Sequence, residues 1–195
     1  MFSSINILIF FFEVLYYFNG INLTFLNHDY FSQKEVNSEH KQLHMIITPR
    51  KINLFILFKM PLGYISGMRV KSITETTAIV RIKHQWINQN PFKSMFWAAQ
   101  GMAAEMATGV LVMKAIKASN KKVSMLVSHQ EADFFKKATG KILFTCCGGN
   151  QIKEAIQKSI ETAEGQIVRL TSKGENEDGI IVSSFLFEWS LKVKK

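Results

Sequence analysis

Met95–Ala118 reads MFWAAQGMAAEMATGVLVMKAIKA, with Ala or Gly at positions 98, 99, 101, 103, 104, 107 and 109. No Pro interrupts it, and Asn120 with Lys121-Lys122 closes it, so the stretch predicts one helix over about 95–118. A helix apolar nearly all round is a buried one, and its small residues let other backbone come close. Lys114 and Lys117 mark its wet side. At about 100° per residue, Glu105 projects about 150° from them, so a carboxylate is expected on the buried face. An unpaired buried carboxylate raises its pKa or finds a cation. The first outcome makes a general base. The second makes an ion pair at a subunit interface.

The residues ahead of the helix carry their own chemistry. Asn90-Pro91 suits a turn, and Ser94 is a good N-cap residue. Asn90 could equally orient a carbonyl or a water. Backbone N–H groups at Phe96 and Trp97, at the positive end of the helix dipole, could hold an oxyanion.

Around this centre the pattern alternates. Lys51–Lys59 predicts a short apolar helix, punctuated by Pro61, Gly63 and Gly67. Strands are expected at Met68–Ile73 and Thr77–Lys83, the second with Ala78, Val80 and Ile82 on one face. A loop follows at Gln85–Lys93. Further strands are expected at Val123–Ser128, Ala138–Cys147, Gln166–Ser172 and Ile180–Val193. Gln151–Thr162 reads as an amphipathic helix with Asn150 as its N-cap, and Gly174–Gly179 as a hairpin turn.

The chain has 195 residues, 47% hydrophobic and 20% charged, which fits one globular domain with a sizeable core. Two cysteines exclude a disulfide scaffold and fit a reducing, cytoplasmic setting. Residues 51–195 hold 21 Lys/Arg against 11 Asp/Glu. Such a basic surface suits phosphorylated or acidic partners. No Lys/Arg run interleaved with aromatics is present, so nucleic acid is not expected as a partner.

The start of the chain differs. No Lys or Arg precedes Lys34, no Ala precedes Ala78, and seven of 16 Phe lie by Phe31. The apolar stretch 5–18 contains Glu13 and is short for a membrane span. It also lacks a basic n-region and a cleavage site. Residues 1–44 are therefore expected to be an atypical extension, with Met45 or Met60 as an alternative start, and 45–195 the domain. A membrane anchor or a signal peptide at 5–18 stays as an alternative.

Asn88–Gly109, NQNPFKSMFWAAQGMAAEMATG, resembles the signature of a bacterial domain-of-unknown-function branch of the hot-dog thioesterase superfamily. That branch reads N-P-F-x-S-M-x-F/W-A-A with a later A-A-E. Val123–Val127 (VSMLV) and Phe185–Lys194 (FLFEWSLKVK) are similar to it as well. The resemblance covers about residues 51–195. It implies an α+β hot-dog fold, an antiparallel sheet wrapped around the long central helix. It also implies hydrolysis of acyl-CoA or another acyl thioester, with no cofactor or metal. A homodimer or homotetramer is implied too, because a lone subunit leaves a sheet edge open.

In such thioesterases an Asn precedes the helix, His-Gly-Gly opens it, and an acid follows on it. Asn90 and Glu105 match the Asn and the acid, fifteen residues apart. Phe96 stands where those proteins have His, and Trp97 where they have Gly. The implied scheme has Glu105 activating water or attacking the carbonyl, and the Trp97 N–H with Asn90 stabilising the oxyanion. Ser128, His129 and Gln130 are placed at the end of a strand that completes the partner's cleft. Lys136 and Lys137 are candidates for coenzyme A phosphates. The departure at Phe96-Trp97 favours the alternatives of a non-catalytic acyl or coenzyme A binding module, or a structural dimer.

Other motifs are weaker. His40 and His44 have i, i+4 spacing but lie in the extension. Adjacent Cys146 and Cys147 on a strand predict one core and one surface thiol. Gly148-Gly149-Asn150 lacks a phosphate-loop spacing and reads as a turn. Trp86, Phe92 and Trp189 are expected in the core or along an acyl tunnel, and His84 is expected exposed at a strand end.

Overall fold

The computed structural model describes residues 47–194. The extension over 1–44, with the stretch 5–18, His40 and His44, lies outside them. Helix α1 (Pro49–Lys59) starts where the Thr48 hydroxyl accepts the Lys51 N–H at 3.3 Å, with Pro49 in its first turn. The short helix α2 (Pro61–Ile65) follows at once, where a plain exit was expected.

Strands β1 (Arg69–Ile73) and β2 (Ala78–Lys83) form a hairpin. The long helix α3 (Trp97–Ser119) comes next and ends at Asn120, which adopts φ 53°. Then come β3 (Val123–Phe134), β4 (Lys141–Cys146), helix α4 (Gly149–Thr162), β5 (Gln166–Glu175) and β6 (Ile181–Val193). The six strands make one antiparallel sheet in the order β1-β2-β4-β5-β6-β3.

Helix α3 packs against β2, β4, β5 and β6, and α4 packs beside it. Strand alternation supplies the inner face: Ala78, Val80 and Ile82 from β2, Ile142 and Phe144 from β4, Phe185, Phe187 and Leu191 from β6, all buried. The Phe144 and Phe185 rings meet at 5.8 Å, tilted by 71°. Gly174 is required here, because a Cβ would stand 2.6 Å from the Phe144 ring.

Two buried polar pairs fix α3 on β6. The Trp189 indole N–H donates to the Thr108 hydroxyl at 3.0 Å, and the Ser183 hydroxyl donates to Gln100 Oε1 at 2.9 Å. Apolar flanks strengthen both bonds by excluding water. Glu75, in the β1–β2 turn, binds Lys114 of α3 at 2.8 Å and Lys153 of α4 at 3.2 Å. The Lys114 hydrogen bond, then that of Lys153, holds its carboxyl below the usual range.

The sheet has two unlike edges. At β1, the Asn53 amide of α1 accepts the Val70 N–H at 2.7 Å and donates to the Val70 carbonyl at 2.9 Å. At β3, eleven of its 12 residues pair with β6, on one side only among the described residues, with Ser128 skipped at a register shift between Val127 and His129.

Four expectations are corrected. Helix α3 starts at Trp97, because Met95 bridges Gln89 and donates its N–H to the Ala138 carbonyl at 2.8 Å. Strand β3 runs on to Phe134, so Ser128, His129 and Gln130 lie at its bulge and not at its end. Asn150 does not cap α4, which begins at Gly149 with no side-chain cap. Its first turn presses on the β1–β2 turn, where a Cβ on Gly149 would stand 2.5 Å from Thr76 Cα. Trp86 and Phe92 are exposed at the surface, while Trp189 alone of the three aromatics is core.

Candidate active site

The loop before α3 is built around two asparagines. Asn88 is buried; its amide donates to the carbonyls of Ser66 (3.1 Å) and Lys83 (2.9 Å), and its Oδ1 accepts the Gln85 N–H (2.8 Å). It thereby joins the end of α2, the end of β2 and the turn Trp86–Asn88. The Asn88 carbonyl accepts the Phe96 N–H at 2.7 Å. Asn88 escaped the sequence reading, which passed over it to Asn90; the signal was an amide just beyond a strand end.

Asn90 serves its own loop. Its Oδ1 accepts the N–H groups of Phe92 (2.9 Å) and Ser94 (3.2 Å), and its Nδ2 donates to the Ser94 hydroxyl (3.0 Å). Lys93 takes φ 57° between them. These bonds tie Asn90 Oδ1 and one Nδ2 hydrogen to its own loop, so the turn role is present in the structure. Ser94 is buried against Asn90 and does not cap α3, whose cap position Phe96 has no side-chain bond.

The expected pair of N–H donors shifts by one residue. Phe96 is spent on Asn88, and the N–H groups of Trp97 and Ala98 find no acceptor among the described residues. They point out of the positive end of a 23-residue helix. The Phe96 and Trp97 rings stand beside them, 5.6 Å apart and half-exposed.

Glu105 differs from expectation in its surroundings. The sheet and α4 cover Ala99, Ala103, Ala104 and Ala107; beside them Ala98, Gly101 and Met102 are half-buried, and Glu105 is exposed among the described residues. The expectation that Glu105 sits on a buried face is corrected: it lies opposite Lys114 on the wheel but is exposed among the described residues, because a wheel gives direction and not cover. The helix surface beside the carboxyl still removes part of its water, and this desolvation raises its pKa above the usual glutamate value. Its carboxylate has no ion-pair or hydrogen-bond partner among the described residues.

The remaining candidates lie elsewhere. The Ser128 hydroxyl donates to Glu188 Oε1 at 2.9 Å, while His129 is exposed on β3. Lys136 and Lys137 are exposed, and Lys137 Nζ reaches the Phe92 carbonyl at 3.4 Å. His84 is half-buried rather than exposed, and its Nε2 is enclosed without a partner among the described residues. Cys146 is buried and Cys147 exposed. Burial pushes the Cys146 thiol up to about 11, which leaves it unreactive. A groove of about 600 Å³ between α4 and β5, lined by Lys158 and Arg169, does not include Glu105.

Known structures share this architecture. A Pseudomonas aeruginosa protein of unknown function, described as a probable thioesterase, is 18% identical with a TM-score of 0.66, covering 77% of this chain and 99% of its own. A Chlorobaculum tepidum protein of unknown function is 15% identical with a TM-score of 0.64, covering 75% and 98%. A thioesterase from Haemophilus influenzae is 10% identical with a TM-score of 0.57, covering 76% and 92%. No curated protein matches the sequence. The sheet around α3 and these likenesses make the fold an α+β hot-dog. Residues 49–191 match the model of a domain family of unknown function, DUF4442, and the chain belongs to that family.

Proposed function

We propose that the chain hydrolyses acyl thioesters, coenzyme A esters foremost, with Glu105 as general base. The observation that carries this is the placement of Glu105: an exposed carboxylate on α3, two turns beyond the free N–H groups at the helix start, with no ion-pair partner among the described residues; partial desolvation raises its pKa. A carboxylate of raised pKa takes a proton from water more readily at neutral pH. The water oxygen then attacks the thioester carbonyl, and the N–H groups of Trp97 and Ala98 hold the oxyanion. Collapse expels the thiolate, which takes back the proton held on Glu105, so the carboxylic acid and thiol leave and the Glu105 carboxylate is restored. The scheme needs no metal or organic cofactor.

Glu105 lies eight residues beyond Trp97, about 12 Å along the helix axis. Two antiparallel copies of α3 would bring Glu105 of one chain toward the helix start of the other, so the working unit is a homodimer or a pair of dimers. The free edge of β3, with Ser128 and His129, supplies the pairing. Lys136 and Lys137 would meet coenzyme A phosphates at the rim. Asn90 contributes by shaping the loop. The reaction belongs in the reducing cytoplasm, where both cysteines stay thiols.

A second reading rests on Trp97. Its indole stands at the first helical position, where a thioester must approach the backbone, and this favours an acyl or coenzyme A binder without turnover. Thiol release from short, long and aromatic acyl-CoAs decides between them. Hydrolysis by the native chain, abolished in Glu105→Gln with its melting temperature kept, supports the enzyme. Activity falling as pH drops through the raised pKa of Glu105 is also expected. Release from no substrate, with a melting temperature raised by an acyl-CoA, supports the binder.

A further inference from the structure

Strand β5 lacks a neighbour over more than half its length. On one side it pairs with β6 from Gln166 to Glu175, but on the other β4 reaches only Lys173, Gly174 and Glu175, through Thr145, Phe144 and Leu143. Strand β4 ends at Cys146, and the chain turns away through Gly148 into α4. Residues 166–172 therefore present a strand edge inside the sheet. In an antiparallel pair every second residue turns its backbone N–H and C=O away from the partner strand. On that side residues 166–172 make no backbone hydrogen bond among the described residues.

Helix α4 runs beside this edge without closing on it, and the groove of about 600 Å³ lies between them. Gln151, Glu154, Ala155 and Lys158 line one wall, at the i, i+3, i+4, i+7 spacing of a single helix face, and residues 166–169 line the other. Further along, Gly148 packs on the Leu170 side chain with no room for a Cβ, so the edge is open over 166–169 and crowded from 170 on. With α4 as its far wall, the groove admits one extended chain and not another sheet.

The charged side chains lining it are Glu154, Lys158 and Arg169. Arg169 already holds Glu188 on β6 at 3.1 Å. Glu154 and Lys158 are in no ion pair among the described residues. They stand about 6 Å apart along the helix axis. Side chains two residues apart on a strand share a face and stand about 6.7 Å apart. An acid and a base at that spacing on an extended segment would meet both. Ala155 and Ile167, the latter 55% exposed, add apolar surface beside them.

We propose that the free edge of β5 and the facing side of α4 bind an extended peptide segment of a partner protein. The segment adds to the sheet as a strand, with an acid opposite Lys158 and a base opposite Glu154. Unpaired strand backbone names the class of ligand, because another strand is what satisfies it. The groove includes no residue of β3 and not Glu105, so the contact depends neither on the dimer nor on thioester hydrolysis.

The test uses the full chain and blocked heptapeptides of Thr and Val with Glu-Val-Lys or Lys-Val-Glu at the centre. The two orders cover parallel and antiparallel addition. Each is also made with alternate amides N-methylated, in both registers. Binding is followed by fluorescence anisotropy and by amide hydrogen exchange at residues 166–169. One order is expected to bind roughly tenfold more tightly than the other and to slow exchange on β5. N-methylation should abolish this by removing the backbone donors. Lys158→Glu with Glu154→Lys, at an unchanged melting temperature, should reverse the preferred order. Binding of neither peptide overturns the proposal, as does equal binding by the N-methylated peptides or a preference that the exchange of charges leaves in place. Protection of β5 that rises with protein concentration alone overturns it as well, and makes a second copy the occupant.

Discussion

Glu105 has no ion-pair partner among the described residues, and this sets a sign. Its pKa is raised in the folded state, so the folded chain holds that proton more tightly than the unfolded one. Its contribution is favourable below the unfolded pKa and is lost as pH rises through the folded value. Glu105→Gln should therefore raise the melting temperature slightly at neutral pH. The gain should vanish in acid, as paired melting curves across pH will show. An ion-paired Glu105 would give the opposite sign at neutral pH. The Thr108 hydroxyl is the converse case. It is fully buried and receives the Trp189 indole N–H. Thr108→Val strands that donor and should cost about 1–3 kcal/mol by denaturant unfolding. Glu105 was legible in the sequence as the single acid of an apolar helix. Its surroundings were not, because a helical wheel gives direction and says nothing of how much surface the neighbours cover. Asn90 shows a related limit: turn chemistry and substrate contact need the same residue type, and its hydrogen bonds to Phe92 and Ser94 display the first of the two.

The run of Ala and Gly announced α3 within two residues of its true start, since few other settings tolerate so much small apolar surface. Strand β3 was read at half its length. Its bulge at Val127/His129 breaks the two-residue alternation on which strand recognition rests, and its free side allows polar residues on both faces. Helix α4 was found, with its start missed by two residues. Asn150 looks like a cap, whereas the start is dictated by contact: Gly149 donates its N–H to the Thr76 carbonyl at 3.1 Å and leaves no room for a Cβ. Gly149→Ala should push α4 off the β1–β2 turn and cost about 1–3 kcal/mol, read as a lowered denaturant midpoint. The departure of α4 would also loosen the bridge from Glu75 to Lys153.

A sheet of six strands needs its ends resolved, and the described residues resolve only one of them. A 12-residue strand with one free side is a template for another strand. Sedimentation equilibrium should therefore give at least twice 22.3 kDa in dilute solution. A mass of one chain would remove the proposed site along with the dimer, because Glu105 would lose the helix start it is meant to face. At the other end, Asn53 takes both backbone groups of Val70 that a neighbouring strand would need. One amide side chain thus behaves as a chain stopper. With a single reactive end per molecule, edge-to-edge addition terminates at the first encounter. Crowding raises the number of pairs and never the length of a fibre.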